Sequence, residues 1–458
     1  MPDGVVPDGG YGWVVVFASF LLQTLTKGIT YTFGVVFVDM LAVFGSSAST
    51  TAWIGSIQAA LLNFTGILSG PLIQRFGWRK VTIAGSFLSA SGFALSAAAP
   101  NVYILYLTYG VMTGLGNGLM FLTSMVAVQH YFDRRRSLAT GIAVSGSGVG
   151  TLTFGLLSRA LLDGVGFQMT MIIQGSIMLL GVISGALLRP LEVTALEVDF
   201  GPGEVERSKS VQSTLTDAEE LDEANRCSNC IDLSLFKSPI FCLFGIGVLG
   251  FCLGYHVPFT YIPERARQFG VDAQSASFLI SIVGIANVAS RLVIGWMADH
   301  SPTIRFYLAG VTLTLGGVSS ILIPYMTTYP LMIMYSALFG MFSGIWSSLF
   351  PVILVDLLGV AVIERSLGQV LAVGSIAFLL ASPMSVLPSK VSRIPGIAIG
   401  AGSADIEETL VAVNVTVTRV IDSIFGRFFV FFFFITNIYF VHYIMHIYHV
   451  TTNKAPPQ

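Results

Sequence analysis

An all-α membrane protein of about twelve transmembrane helices, arranged as two six-helix halves, is the fold the sequence predicts, and three observations predict it. The composition is too apolar for a soluble chain: of 458 residues, 54% are hydrophobic and 10% charged, against about 25% charged in ordinary soluble domains. Apolar runs of about twenty residues, the length that crosses ~30 Å of hydrocarbon, recur along the chain. One polar segment near the middle divides these runs into two groups. The net charge of −2 offers no basic surface to nucleic acid, so the lipid bilayer is the expected partner and nucleic acid is not.

The N-terminus, residues 1–12, lacks a basic stretch followed by a short apolar core, so no cleaved signal peptide is expected and the first helix acts as its own insertion signal. The first half covers 13–189. Span 1 (13–38) starts at Trp13, a residue suited to the headgroup level, after glycines that permit a tight turn. Span 2 (51–73) ends in a polar loop, and span 3 covers 80–98. Span 4 (103–129) carries Gly110, Gly114 and Gly118 at four-residue spacing, a face for close helix packing. Span 5 (138–162) follows an arginine run and contains glycines of the same kind; span 6 (168–188) closes at Arg189-Pro190. Residues 190–239 read as a linker, since Glu204 to Arg226 is rich in Glu, Asp, Ser and Lys and poor in bulky apolar groups. The second half, 240–386, holds spans 7 to 11 at 240–262, 275–298, 304–326, 330–357 and 366–386. An atypical tail, 387–458, contains an aromatic run at 425–448 that is long enough for a twelfth helix.

Lysine and arginine in the short loops set the orientation. The loop after span 2 has Arg75, Arg79 and Lys80, and that after span 4 has Arg134, Arg135 and Arg136, whereas the loops after spans 1 and 3 have none. The N-terminus and linker are therefore expected in the cytoplasm, with Arg265 and Arg267 after span 7 a minor exception. An internal echo relates the halves: Gly70-Pro-Leu-Ile-Gln74-Arg75-Phe-Gly77-Trp-Arg79-Lys80 joins spans 2 and 3, and Gly295-Trp-Met-Ala-Asp299-His300 joins spans 8 and 9.

The first copy of this loop resembles the signature of the major facilitator superfamily, with Gln74 where an aspartate is usual. Two further stretches are similar to the signature sequences of the monocarboxylate transporter family: Asp8-Gly9-Gly10-Tyr11-Gly12-Trp13 before span 1, and Tyr131-Phe132-Asp133-Arg134-Arg135-Arg136-Ser137-Leu138-Ala139-Thr140-Gly141 leading into span 5. The resemblance covers about residues 7–386. It implies two related halves with solute held between them near the midplane, a plasma-membrane location and a single-span accessory glycoprotein as partner. From the residues alone, Asp8, Gly9, Gly10, Trp13, Gly70, Arg75, Gly77, Arg79, Tyr131, Phe132, Arg134, Arg135, Gly141 and Asp299 read as packing or gating elements rather than solute ligands. The tail departs most from the family pattern.

The solute argument rests on charges at membrane depth, which are costly and usually functional. Arg291 lies inside Ser277–Trp296, and Asn287 sits one turn earlier on the same face. Ser277, Ser281, Gly284 and Gly295 continue that small, polar stripe; Leu279, Ile282, Val283, Ile285, Leu292 and Val293 form a bulky one. Two readings stay open: Arg291 snorkels to the headgroups, or it faces a solute path, where a guanidinium can hold a carboxylate by two parallel bonds. Lys27, about 21 Å along the helix from Trp13, poses the same choice. The resemblance assigns carboxylate binding to Arg291. Proton-coupled members carry a span 1 lysine at the position of Tyr31, one turn after Lys27, and an aspartate at the position of Asn287. An amide cannot carry a proton, so proton-driven transport is not implied; members departing from that pattern include facilitative carriers of carnitine, creatine or aromatic amino acids.

The expected function is a secondary carrier of small monocarboxylates or related organic solutes. The alternatives are a proton-coupled symporter and a solute-sensing membrane protein that moves nothing. An enzyme is not expected, because the six histidines form no motif with a carboxylate or nucleophile within the spans. No cofactor or metal is expected either: Cys227-Ser-Asn-Cys230 lacks a second ligand pair, and His442, His446 and His449 fall in the atypical tail.

Overall fold

The structure, a computed structural model, describes residues 8–189, 233–321 and 326–391. Most of the linker with its Cys227 and Cys230, and the tail beyond 391 with the run at 425–448, lie outside the described residues. Within them the chain is helical, without strands: α1 (Gly12–Tyr31), α2 (Phe33–Phe44), α3 (Ala48–Phe64), α4 (Gly66–Ala97), α5 (Val102–Leu105), a π-helical turn at Tyr106–Met112, α6 (Thr113–Tyr131), α7 (Arg136–Met178) and α8 (Leu180–Leu187). After a short 3-10 turn at Leu233–Lys237 come α9 (Pro239–Gln268), α10 (Ala273–Ala298), α11 (Pro302–Ile321), α12 (Tyr329–Leu358) and α13 (Ile363–Val391).

Two glycines fold the long elements back on themselves. Gly77 (φ 79°) interrupts α4 and Gly166 (φ 77°) interrupts α7 in a backbone region that only glycine enters without strain. The reversals show in their neighbours. Thr65 lies against Gly118 of α6 while Gly85 lies against Gly116, two residues away, although a straight helix would hold Thr65 and Gly85 about 30 Å apart. Gln174 Nε2 likewise donates to Ser158 Oγ at 2.9 Å across the Gly166 turn. These elements therefore supply spans 2 and 3 and spans 5 and 6.

Span 1 is broken at Thr32, whose hydroxyl donates back to the Gly28 carbonyl at 3.0 Å and whose ψ of 5° leaves the helical range; such back-bonding by threonine bends helices. Six stretches among the described residues are long and apolar enough to cross a membrane, and a seventh arises if the pair Thr50–Phe64 and Gly66–Ala97, bent by 44°, counts as one. Gly114 and Gly118 meet α3 closely: a methyl on Gly114 would stand 3.0 Å from the Gln58 carbonyl oxygen, and one on Gly118 would stand 2.7 Å from that of Leu62.

Each half buries its own apolar cluster, around Leu22, Phe93 and Met120 in the first and around Leu279, Val283 and Tyr335 in the second. A third cluster crosses the seam, joining Leu62, Phe121 and Val144 to Phe241, Trp346 and Leu349. Phe17, Leu107, Leu156, Ile285, Val293 and Trp296 remain exposed on the outside, an apolar surface suited to lipid. The bulky stripe of α10 therefore divides: Ile285, Leu292 and Val293 face outward, whereas Leu279 and Val283 are buried, with Val283 against Gly340 of α12.

Candidate solute-binding site

A cavity of about 70 Å³ lies on the seam. From the first half it is lined by Gln23, Lys27 and Tyr31 of α1, Asn63 of α3, Phe121 and Met125 of α6, and Val144 and Ser147 of α7. The second half contributes Val248, Phe251, Cys252 and Tyr255 of α9, Arg291 of α10, Trp346, Ser347 and Phe350 of α12, and Leu371 and Phe378 of α13.

Both intramembrane cations face this cavity. Arg291 is only 2% exposed. Its NH1 group donates to the Val144 carbonyl and to Ser147 Oγ, the latter at 2.7 Å, while its Nε has no hydrogen-bond partner. Lys27 is 7% exposed and holds its Nζ 4.0 Å from the centre of the Phe121 ring and 5.8 Å from that of Tyr31. Neither side chain reaches the surface, as snorkelling requires. Among the described residues no carboxylate lines the cavity, so both cations are held by neutral oxygens and ring faces. Tyr31 shares a side-chain hydrogen bond with Tyr255 across the seam. Gln23 Nε2 donates to Ser124 at 2.9 Å, leaving Gln23 Oε1 without a donor.

Asn287 is not brought into the lining. Its Nδ2 donates to Ser343 Oγ at 3.1 Å, and its backbone abuts Gly344 of α12. Several lining residues were invisible to sequence reading, notably Phe121, Ser147, Phe251, Cys252 and Trp346. They sit in uniform apolar or small-residue runs, and only the packing of distant helices turns them inward.

The motif residues gather at the end of the bundle that carries the basic loops. Asp8 accepts from the backbone N–H groups of Asp133 and Arg134 at 2.9 and 3.0 Å, and Trp13 packs edge-on against Phe132 at 5.2 Å. The two signature stretches thus lock together, with Tyr131 donating to the Arg189 carbonyl at 2.9 Å. Gly9 lies in the turn beside Asp8, and Gly10 takes a positive φ of 55°. Arg75, Arg79, Arg134 and Arg135 are exposed, Arg75 lying over the Phe76 ring.

Asp299 reaches across the seam and accepts from the first backbone N–H groups of α7, Ser137 at 2.7 Å and Leu138 at 3.0 Å. A carboxylate at a helix N-terminus is favourably placed. Arg305 backs it, bonding both oxygens of Asp356 at 2.9 Å and standing 3.8 Å from Asp299. The other loop copy is neutral at the equivalent place, where Gln74 Oε1 accepts from Arg365 at 2.9 Å. Backbones touch here as well. A methyl on Gly141 would stand 2.6 Å from the Arg291 carbonyl oxygen, one on Gly70 3.0 Å from that of Glu364, and one on Gly66 2.8 Å from that of Gly368.

Two helical halves enclosing a seam cavity, with close contacts at one end, define the architecture of a membrane carrier. The profile of the Major Facilitator Superfamily matches residues 13–382. A solved structure of the proton:xylose symporter XylE, bound to 6-bromo-6-deoxy-D-glucose, superposes with a TM-score of 0.69 over 95% of each chain at 14% identity, a likeness of fold. Monocarboxylate transporter 2 of Mus musculus is 31% identical over 394 residues, 84% of this chain and 79% of the relative. Monocarboxylate transporter 12 of Xenopus laevis is 28% identical over 383 residues, 83% of each. The chain belongs to the major facilitator superfamily and, within it, to the monocarboxylate transporter family.

Proposed function

We propose that this transporter carries small organic monocarboxylates by alternating access, with Arg291 and Lys27 as the groups that hold the anion. The observation that carries the reading is the cavity itself: among the described residues two buried cations and no carboxylate line it. Burying a charge without an opposite partner is expensive, and a carboxylate solute supplies that partner. The open Nε of Arg291, beside its other guanidinium nitrogens, suits a bidentate grip. Tyr31 lines the same cavity one turn from Lys27; Asn287 acts indirectly, by tying α10 to α12 through Ser343.

A proton-coupled site needs a group that gains and loses a proton during the cycle; of the two cations among the described lining residues Lys27 is left to do so, and no carboxylate joins it, a lining that favours a carrier that equilibrates its solute over one driven by protons. The basic loops favour a cytoplasmic N-terminus in the plasma membrane, so the closed, motif-bearing end is the cytoplasmic one. Counterflow of labelled acids in proteoliposomes, with and without an imposed pH gradient, tests both statements. Exchange of acids with little response to the gradient is expected. Absence of exchange overturns carriage, and strong gradient-driven accumulation overturns equilibration.

A further inference from the structure

The cations account for one end of the solute; the remaining wall is aromatic. Trp346, 2% exposed, stands at its centre, with Phe251 at 5.8 Å, Phe244 at 6.2 Å and Phe350 at 6.3 Å between ring centres. Phe251 and Phe350 line the cavity with it, and Phe121 closes the Lys27 side. We infer that the solute is an aryl monocarboxylate without an amino group: a short acid chain held by Arg291 and Lys27, and a ring laid against Trp346. This inference rests on the anion reading above and adds the identity of the apolar part.

Two physical arguments converge on it. The first is ring geometry. Offset and tilted aromatic contacts with centres about 4.5–7 Å apart are favourable beyond their buried area, and Trp346 is held rigid by its neighbours at such distances. A solute ring therefore meets a wall that loses little freedom on binding.

The second argument concerns charge. An amino acid would bring an ammonium into a cavity that already holds two cations and, among the described residues, offers no Asp or Glu. Like charges at this depth repel strongly. Attraction of an ammonium to the ring faces is the weaker effect, and Lys27 already occupies the face of Phe121. The neutral polar groups available, Gln23, Asn63, Ser147 and Ser347, can solvate a hydroxyl but cannot neutralise an ammonium.

The test uses the full-length chain in proteoliposomes at neutral pH, measuring protein-dependent exchange of 3-phenylpropanoate, 3-cyclohexylpropanoate, phenylalanine and lactate. The expected kcat/KM for 3-phenylpropanoate exceeds that for phenylalanine and for lactate by about tenfold or more, and that for the cyclohexyl analogue by about threefold or more. Trp346→Leu should bring the phenyl-to-cyclohexyl ratio toward one, while Trp346→Phe retains it. Lactate or phenylalanine exchanged as well as 3-phenylpropanoate by the wild type overturns this inference and leaves the anion reading standing. Failure of all three carboxylates that lack an amine overturns the anion reading itself. The comparison among solutes on the wild type decides the matter even where a Trp346 variant does not fold.

Discussion

Arg291→Gln separates function from stability. In the wild type the guanidinium makes two bonds to its own protein, to the Val144 carbonyl and Ser147 Oγ, and keeps its Nε unpaired. Glutamine removes the charge but retains an amide donor. Losing two charge-assisted bonds to a bound carboxylate costs about 3–5 kcal/mol, a fall in kcat/KM of roughly 10²- to 10⁴-fold. Folding should change far less. The lost bonds to Val144 and Ser147 are offset by the release of a buried charge that has no carboxylate partner, so the net shift is about 1 kcal/mol in either direction. Arg291→Lys keeps the charge without the planar fork and should fall between, near tenfold. The assay is acid counterflow in proteoliposomes, paired with thermal denaturation of the same purified variants. Arg291→Gln protein that melts like the wild type and exchanges the acid at the wild-type kcat/KM would refute the assignment.

Three further outcomes follow from the packing around the cavity. Asn287→Asp places a carboxyl one turn from Arg291, within reach of Ser343; ionised, it competes with the solute for the guanidinium, and protonated it releases it. Uptake by this variant should therefore rise as pH falls while the wild type stays nearly flat, and identical pH profiles would remove position 287 from any role in coupling. Asp299→Asn retains one acceptor for the α7 N-terminus but loses the charge, weakening closure of the basic end by about 1 kcal/mol; spin labels across that end should show a several-fold larger open population, and unchanged distance distributions would mean the latch is set elsewhere. Gly368→Val drives a side chain into the Gly66 carbonyl and should abolish exchange in a correctly inserted protein, a conclusion that wild-type rates would contradict.

The features legible in the sequence are those written in local chemistry. Apolar runs and the basic loops marked the spans, and Gly77 stood in a motif, so its role at a reversal was open to view. Arg291 and Lys27 announced themselves as charges in apolar surroundings. The break at Thr32 was hidden, because a threonine in an apolar run reads as an ordinary helical residue until its hydroxyl is seen bonded to Gly28. The helical period puts Asn287 one turn before Arg291 on the same side of α10. Its partner, however, is Ser343, fifty-six positions away, and no pattern within α10 could have turned its amide from the cavity. Trp346 and Phe251 were equally silent, each being one more apolar residue in an apolar helix until two helices set their rings 5.8 Å apart.

The site and the closed end share one pair of helices, and this gives alternating access a physical handle. From α7, Ser137 and Leu138 donate to Asp299, the Gly141 Cα rides on the Arg291 carbonyl, and Val144 and Ser147 accept from the Arg291 side chain. All of these contacts fall on α10 or on Asp299, its C-cap. Parting the basic end draws the first turns of α7 away from Asp299, and the same movement takes Val144 and Ser147 from Arg291. A guanidinium stripped of two acceptors at that depth would be costly, unless a solute carboxylate replaces them. If Arg291 is the ligand proposed above, opening in the absence of an anion is disfavoured by the same residue that binds it, and gating depends on occupancy. The second loop copy lacks this arrangement: Gln74 accepts from the side chain of Arg365, and among the described residues no cavity cation lies on α13. On that proposal the two pseudo-equivalent seams carry unequal loads, with occupancy sensed where α7 meets α10 and plain closure supplied where Gly66 meets Gly368. For this reason the Asp299→Asn shift should respond to added acid, whereas the block imposed by Gly368→Val should not.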